Sequence, residues 1–225
     1  MNTGDQINYK NHWNKIYSKS EVNKLGWYEE SPTPSLELIK KCILNKDAVI
    51  LDVGSGTTTL IEKLIMDGYN NIVATDISEV ALIKAQGKLN AEEAESVKWI
   101  VDDIANPENL VEIKTVDLWH DRTVLHFLTE EDQRNGYLST LKRLVKVGGY
   151  VIIAVFSLEG AKKCSGLDVE NYDHMMISQL VGNEFELQEH FHHLYTHPSG
   201  SEKQYVYTLF NRKLGQSKEK ETEKD

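Results

Sequence analysis

The chain is poor in the residues that mark several large classes of protein. It has two cysteines in 225 residues, Cys42 and Cys164, far apart and with no C-x-x-C pairing. That fits free thiols in a reducing compartment, and Cys42, in a helical apolar pattern, reads as a packing residue. Basic side chains are outnumbered, 25 Lys and Arg against 35 Asp and Glu, for a formal net charge of −10. Nucleic-acid binders neutralise phosphates with a basic footprint, so no nucleic-acid partner is expected. No apolar run approaches the ~20 residues of a membrane span, and no membrane partner is expected either. The opening MNTGDQINYKNHW is polar and lacks the apolar core of a signal peptide. A cytoplasmic location is the expectation. There is no internal repeat.

What is present alternates. Apolar residues at helical spacing mark helices over 35–44, 57–67, 79–90, 130–146 and 172–181. Pro34 suits the first start, Ser78 the third cap, and Gly68 and Gly148-Gly149 the stops. Short apolar runs at 49–53, 71–75, 97–101, 116–119 and 150–156 read as buried strands. Two further runs, 184–195 and 204–211, flank a loop with His197, Pro198 and Gly200 and read as an antiparallel hairpin. Strand–helix alternation predicts a doubly wound, mostly parallel α/β sheet with helices on both faces. The hairpin brings it to seven strands, the last antiparallel. At 225 residues one domain with a full core is expected. Ligands of such sheets bind at the carboxyl ends of the strands.

The candidate site residues follow strands. "AVILDVGSGTTTLIEKL" (48–64) ends an apolar run in Asp52, then turns through Gly54-Ser55-Gly56. The dinucleotide fingerprint G-x-G-x-x-G lacks its third glycine here, where Thr59 stands. A carboxylate at Asp52 repels a pyrophosphate and attracts an ammonium or a sulfonium. The glycines then serve close backbone approach, and a nicotinamide cofactor is disfavoured. Asp76, twenty residues beyond Gly56, is placed to accept both ribose hydroxyls of an adenosine. Asp103 is placed to accept from an adenine amino group, with Ile104 offering an N–H and an apolar wall.

In "LDVGSGT" (51–57), "ATDIS" (74–78), "VDDI" (101–104), "VDLWHDRTVLHFL" (116–128) and "LKRLVKVGGYVIIAVF" (141–156), the chain resembles the class I S-adenosylmethionine-dependent methyltransferases, a seven-stranded Rossmann-like family. The resemblance covers residues 9–212, with Thr58 standing where many relatives have a third glycine. It implies an N-terminal helix and aromatic lid over 1–34 and a methyltransferase domain over 35–212; a charged tail over 213–225, with no apolar residue from 215 on, is expected to be disordered. It implies S-adenosylmethionine as cofactor, held by Trp13, Tyr17, Trp27, Asp52, Gly54, Ser55, Gly56, Asp76, Ile77, Asp103, Ile104 and Trp119.

Trp13 and Tyr17 are one helical turn apart, and an aromatic lid suits a sulfonium through cation–π attraction. After the fourth strand, His120 is expected as a general base and Asp121 as the group that orients it or holds an amine. Arg122 either holds a carboxylate or pairs with Asp121. Asp117 supports the strand end, and His126 reads as a core histidine. No [DN]-P-P-[YF] motif follows that strand, which argues against adenine or glutamine N-methylation. His190, His192, His193 and His197 lack the cysteine or paired acid of a strong metal set, so no metal is expected. The 159–173 loop, with Cys164, Ser165 and Tyr172, is expected to cover the acceptor pocket. The acceptor is expected to be a small molecule. A protein lysine, or a binding protein without catalysis, are the alternatives.

Overall fold

A computed structural model describes residues 8–213. The tail expected beyond Lys213 and the first seven residues lie outside that range. Seven strands form one sheet in the order β3-β2-β1-β4-β5-β9-β8. They are β1 (Val49–Val53), β2 (Asn71–Asp76), β3 (Val97–Val101), β4 (Val116–Arg122), β5 (Val145–Phe156), β8 (Phe185–Thr196) and β9 (Glu202–Arg212). The first five pair in parallel, and β9 enters antiparallel between β5 and β8. The strand order reverses at β1 and β4, the place where such sheets open a crevice.

Helices α1 (Tyr9–Lys19), α2 (Thr33–Lys41), α3 (Leu60–Met66), α4 (Glu79–Gln86), α5 (Ala91–Glu95), α6 (Glu131–Leu144) and α7 (His174–Val181) surround the sheet. Two apolar cores result. Trp119, Tyr137, Leu141 and Ile177 belong to the one under α6 and α7. Leu38, Ile50, Leu118 and Tyr207 belong to the one under α2 and α3. Neighbouring residues of a strand face opposite ways, so Leu118 and Trp119 feed different cores.

Local chemistry moved several expected boundaries. The helix expected over 57–67 begins only at Leu60, because Thr57–Thr59 stay with the glycine turn. The helix expected over 79–90 breaks at Gly87, and Asn90 starts α5 through a capping box with Glu93. β5 starts at Val145 and runs through Gly148-Gly149 rather than after them. β4 extends to Arg122 instead of ending at Trp119, because β1 and β5 hold hydrogen-bonding edges on both sides of it. Within 159–173, β6 (Lys163–Cys164) and β7 (Leu167–Asp168) form a small hairpin. None of the helices among the described residues is long and apolar enough to cross a membrane.

Gly136 lies inside α6, where helix propensity favours alanine by ~1 kcal/mol. A Cβ there would meet the Ala105 carbonyl oxygen at 1.9 Å. Overpacking costs roughly 1–3 kcal/mol, so Gly136→Ala is expected to lower the urea midpoint. A raised midpoint would contradict this packing.

Candidate functional site

The site is built at the carboxyl ends of β1, β2, β3 and β4. Gly54 and Gly56 both have positive φ, 60° and 55°, a region that side chains resist. Space demands glycine as well. A Cβ on Gly54 would lie 2.1 Å from Val124 Cγ2, and one on Gly56 would lie 2.5 Å from the Tyr17 hydroxyl. The loop is therefore bare toward the turn after β4 and toward the N-terminal segment. The Ser55 amide donates to the Thr75 carbonyl at 2.9 Å, which ties the loop to β2.

Asp76 ends β2 inside the cleft. Its two carboxylate oxygens accept from the Gly56 and Ser78 amides at 2.9 and 2.8 Å. Burial pushes its carboxyl up to about 6, against the pull of those two amides. Of the following acids, Asp102 is the structural one. It accepts from the amides of Glu108, Asn109 and Leu110 and so closes the loop after β3. Asp103 is exposed on the cleft rim beside Ile77 and Ile104.

The aromatic residues expected to form a lid come together. Trp13 stands edge-on to Trp27 and Phe127, with ring centroids 5.6 and 4.9 Å apart, and Tyr17 lies 5.8 Å from Trp27. All four line the cleft, Phe127 coming from the segment after β4. The segment is fastened to the domain by polar bonds. Ser78 donates to Asn14 at 2.7 Å, and Lys84 donates to the carbonyls of Tyr17 and Ser20.

β4 departs from the expected arrangement, for one geometric reason. Residues 119–122 lie on the strand, so they alternate between faces. Trp119 and Asp121 point away from the cleft. Trp119 is fully buried and donates to the Tyr137 hydroxyl at 3.1 Å. Asp121 accepts from that hydroxyl at 2.7 Å and from the Val124 and Leu125 amides. Burial pushes its carboxyl up to about 6. Asp121 therefore holds the turn after β4. It neither orients His120 nor reaches the cleft, and Trp119 does not line it.

His120 does face the cleft, but both ring nitrogens are engaged. Nδ1 is 2.7 Å from Asp52 Oδ1 and Nε2 is 2.9 Å from Ser35 Oγ. The ring is 3% exposed. The imidazole is thus set between the Asp52 carboxylate and the Ser35 hydroxyl, inside the cleft where a general base was expected. The second Asp52 oxygen, Oδ2, is buried with no hydrogen-bond partner, as is Ser55 Oγ.

Arg122 pairs with Glu29 rather than Asp121, at 3.0 Å. It also donates to the Tyr207 hydroxyl and the Trp27 carbonyl, and stacks 4.9 Å from the Tyr205 ring. Glu29 and Ser35 were not singled out from the sequence. Glu29 follows Trp27-Tyr28 without any motif of its own. Period-two alternation along 118–122 was the available signal that Arg122 and Asp121 face apart.

Other expectations resolve outside the cleft. Asp117 accepts from the Val49 amide and supports the strand ends. His126 is fully buried, and burial lowers its pKa to about 3, as suits a core histidine. Cys164 is buried on the hairpin beside the aromatic segment, whereas Tyr172 packs into the opposite core. Neither lines the cleft. His190 stacks on His174 at 3.7 Å, and no group of three or more potential metal ligands occurs among the described residues.

A bare glycine loop, an acid at each of the first three strand ends and an aromatic cover at the reversal of strand order define a pocket for a nucleoside-bearing cofactor. The profile of the methyltransferase-domain family matches residues 44–213, and the chain belongs to that family. It is similar to the EEF1A lysine methyltransferase 2 of Danio rerio, with 22% identity over 66% of this chain and 68% of that protein. The chain thus spans about two thirds of that relative's length. Among solved structures it resembles an S-adenosylmethionine-dependent methyltransferase from Anabaena variabilis. The TM-score is 0.74, with 16% identity, covering 92% of this chain and 96% of that one. It also resembles the Burkholderia thailandensis 1,6-didemethyltoxoflavin-N1-methyltransferase bound to its substrate and S-adenosylhomocysteine. There the TM-score is 0.64 and identity 16%, over 91% and 84% of the two chains.

Tyr137 joins Trp119 and Asp121 on the face away from the cleft. Tyr137→Phe leaves the buried Trp119 indole N–H without a partner, at ~1–3 kcal/mol, and takes one of three hydrogen bonds from Asp121. A clear loss of thermal stability is expected, with cofactor affinity unchanged by calorimetry. A loss of affinity instead would place this network in the site.

Proposed function

We propose that the chain transfers a methyl group from S-adenosylmethionine to an acceptor admitted beneath the aromatic segment. The observation that carries this reading is the buried, unpartnered Oδ2 of Asp52 beside the bare glycine loop. Such an oxygen suits a cationic group, such as the ammonium or sulfonium of this cofactor, and suits a pyrophosphate poorly. In this reading Asp52, Ser55 and the Gly54–Gly56 turn receive the amino-acid end. Asp76 accepts from the ribose hydroxyls, and Asp103, Ile77 and Ile104 meet the adenine. Trp13, Tyr17 and Trp27 exclude water over the sulfonium.

The bound cofactor supplies a methyl carbon already activated by positive sulfur. What remains for the protein is to align the acceptor and keep water out. His120 contributes by holding one oxygen of Asp52, so that the other stays directed at the cofactor. A small-molecule acceptor under the closed aromatic cover is the first reading. A protein lysine is the second, favoured by the similarity to the EEF1A lysine methyltransferase. The net charge of −10 supports an acceptor other than nucleic acid, and two free, buried cysteines support work in the cytoplasm.

The direct test is calorimetry with S-adenosylmethionine, S-adenosylhomocysteine and, as control, NAD. Micromolar binding of the two sulfur compounds alone is expected, and binding of NAD alone would overturn the reading. Burial pushes the Asp76 carboxyl up to about 6, and the ribose role needs its ionised form. Affinity is therefore expected to fall as pH drops from about 7 to about 5, and to lose that dependence in Asp76→Asn. A flat wild-type profile would remove the ribose role.

The role of His120 is tested by a pair of variants. His120→Asn keeps a donor near the Nδ1 position, facing Asp52; His120→Gln keeps one near Nε2, facing Ser35. Affinity near wild type in the first and about tenfold weaker in the second is expected. Equal affinities would show that the contact with Asp52 is not what matters.

A further inference from the structure

The cleft is unbalanced in charge. Its described lining carries five acids, Glu29, Asp52, Asp76, Asp102 and Asp103, and Arg122 as its one guanidinium or ammonium. That guanidinium is already committed. Its Nε donates to Tyr207 and its Nη1 to the Trp27 carbonyl, while its Nη2 is buried 3.0 Å from Glu29 Oε1 without a hydrogen bond. It acts as a strut between β4 and the aromatic segment, and its charge is paired with Glu29. A carboxylate or phosphate acceptor would enter a partly dehydrated space in which acids outnumber cations five to one among the described lining, which disfavours it.

Glu29 is placed differently from the other acids. Asp76 and Asp102 accept from backbone amides, Asp52 is held by His120, and Asp103 lies on the rim. Glu29 is 9% exposed and lines the cleft between Arg122 and the aromatic segment, with a single side-chain partner for its two oxygens. Trp27 and Phe127, which also line the cleft, supply aromatic surface that attracts a cation and accommodates an aliphatic stem.

We infer that the acceptor is an alkyl amine and that Glu29 receives it and takes its proton. This rests on the reading of the cleft as the site of a sulfonium cofactor. An alkyl amine arrives as an ammonium and has no lone pair to offer until it loses a proton. Glu29 accepts that proton, the freed nitrogen lone pair forms the N–C bond, and the C–S bond breaks with its electron pair remaining on sulfur. The products are a methylammonium, a neutral thioether and protonated Glu29, which returns its proton to solvent. Burial raises the Glu29 carboxyl above its ordinary value even beside Arg122, which suits it to hold that proton. The lysine side chain and a free small amine share this chemistry.

The test uses the full chain, Glu29→Gln and Glu29→Asp. Calorimetry first measures S-adenosylhomocysteine affinity. Values within about threefold across the three proteins are expected. Loss in Glu29→Gln alone would assign Glu29 to the cofactor and overturn the inference. No binding even by the wild type would overturn the proposed function together with it. With S-adenosylhomocysteine bound, the probes are butylamine, a lysine-containing peptide, butanol and butyrate. The amine probes are expected to bind the wild type and to weaken at least tenfold in Glu29→Gln. Turnover of the better amine should fall ~10²-fold in Glu29→Gln, partly recover in Glu29→Asp and lose rate toward acid pH in the wild type. Preference for the peptide identifies a protein side chain, and preference for butylamine a small amine. Methylation of butanol or butyrate in place of the amines, or unchanged amine binding in Glu29→Gln, would overturn it.

Discussion

Asp52 and His120 face each other across the parallel pairing of β1 with β4 and close a 2.7 Å bond between them. The site depends on that contact. It lies where the strand order reverses, so the loops after β1 and β4 leave in different directions and a crevice opens above the pair. A carboxylate buried at the floor of such a crevice is costly without a hydrogen-bond partner. The histidine meets that need for one oxygen only. Its other nitrogen is anchored to Ser35 of α2, so the ring cannot swing. One oxygen of Asp52 is left buried and unpaired, and this is the polarised feature around which the cleft is organised.

The aromatic cover is held to β4 by Arg122. Arg122 reaches from β4 to Glu29 and to the Trp27 carbonyl, with Tyr207 and Tyr205 supporting the guanidinium from the sheet. The position of Trp27 over the cleft is thus tied to the same strand that holds His120. Two neighbouring positions of one face of β4 set both the floor and the cover.

The opposite face of β4 shows how one strand separates stability from chemistry. Asp121, Trp119 and Tyr137 make a closed network in the core and fix the turn 123–125 from below. That turn supplies Val124, whose methyl group fills the space that a side chain on Gly54 would need. The bare glycine loop and the buried network are complementary parts of one packing arrangement.

Much of this was determined by the sequence alone. The apolar runs, the two glycines and the acids at strand ends are local in the chain, and each has a local physical meaning. They marked the α/β alternation, the hairpin, the glycine turn, Asp52, Asp76 and Asp103 before any coordinates. The spacing of Trp13 and Tyr17 put them on one helix face, and the resemblance to the methyltransferase family implied that they cover the cleft. The tertiary structure decided what depends on pairing. Extension of β4 to Arg122 comes from hydrogen-bonding edges supplied by β1 and β5, which lie far off in sequence. That extension turned Trp119 and Asp121 into the core, set His120 against Asp52 and Ser35 and brought Arg122 to Glu29. A side chain's chemical type is written in the chain, but the face it takes is set by strand register, and register is a property of neighbours.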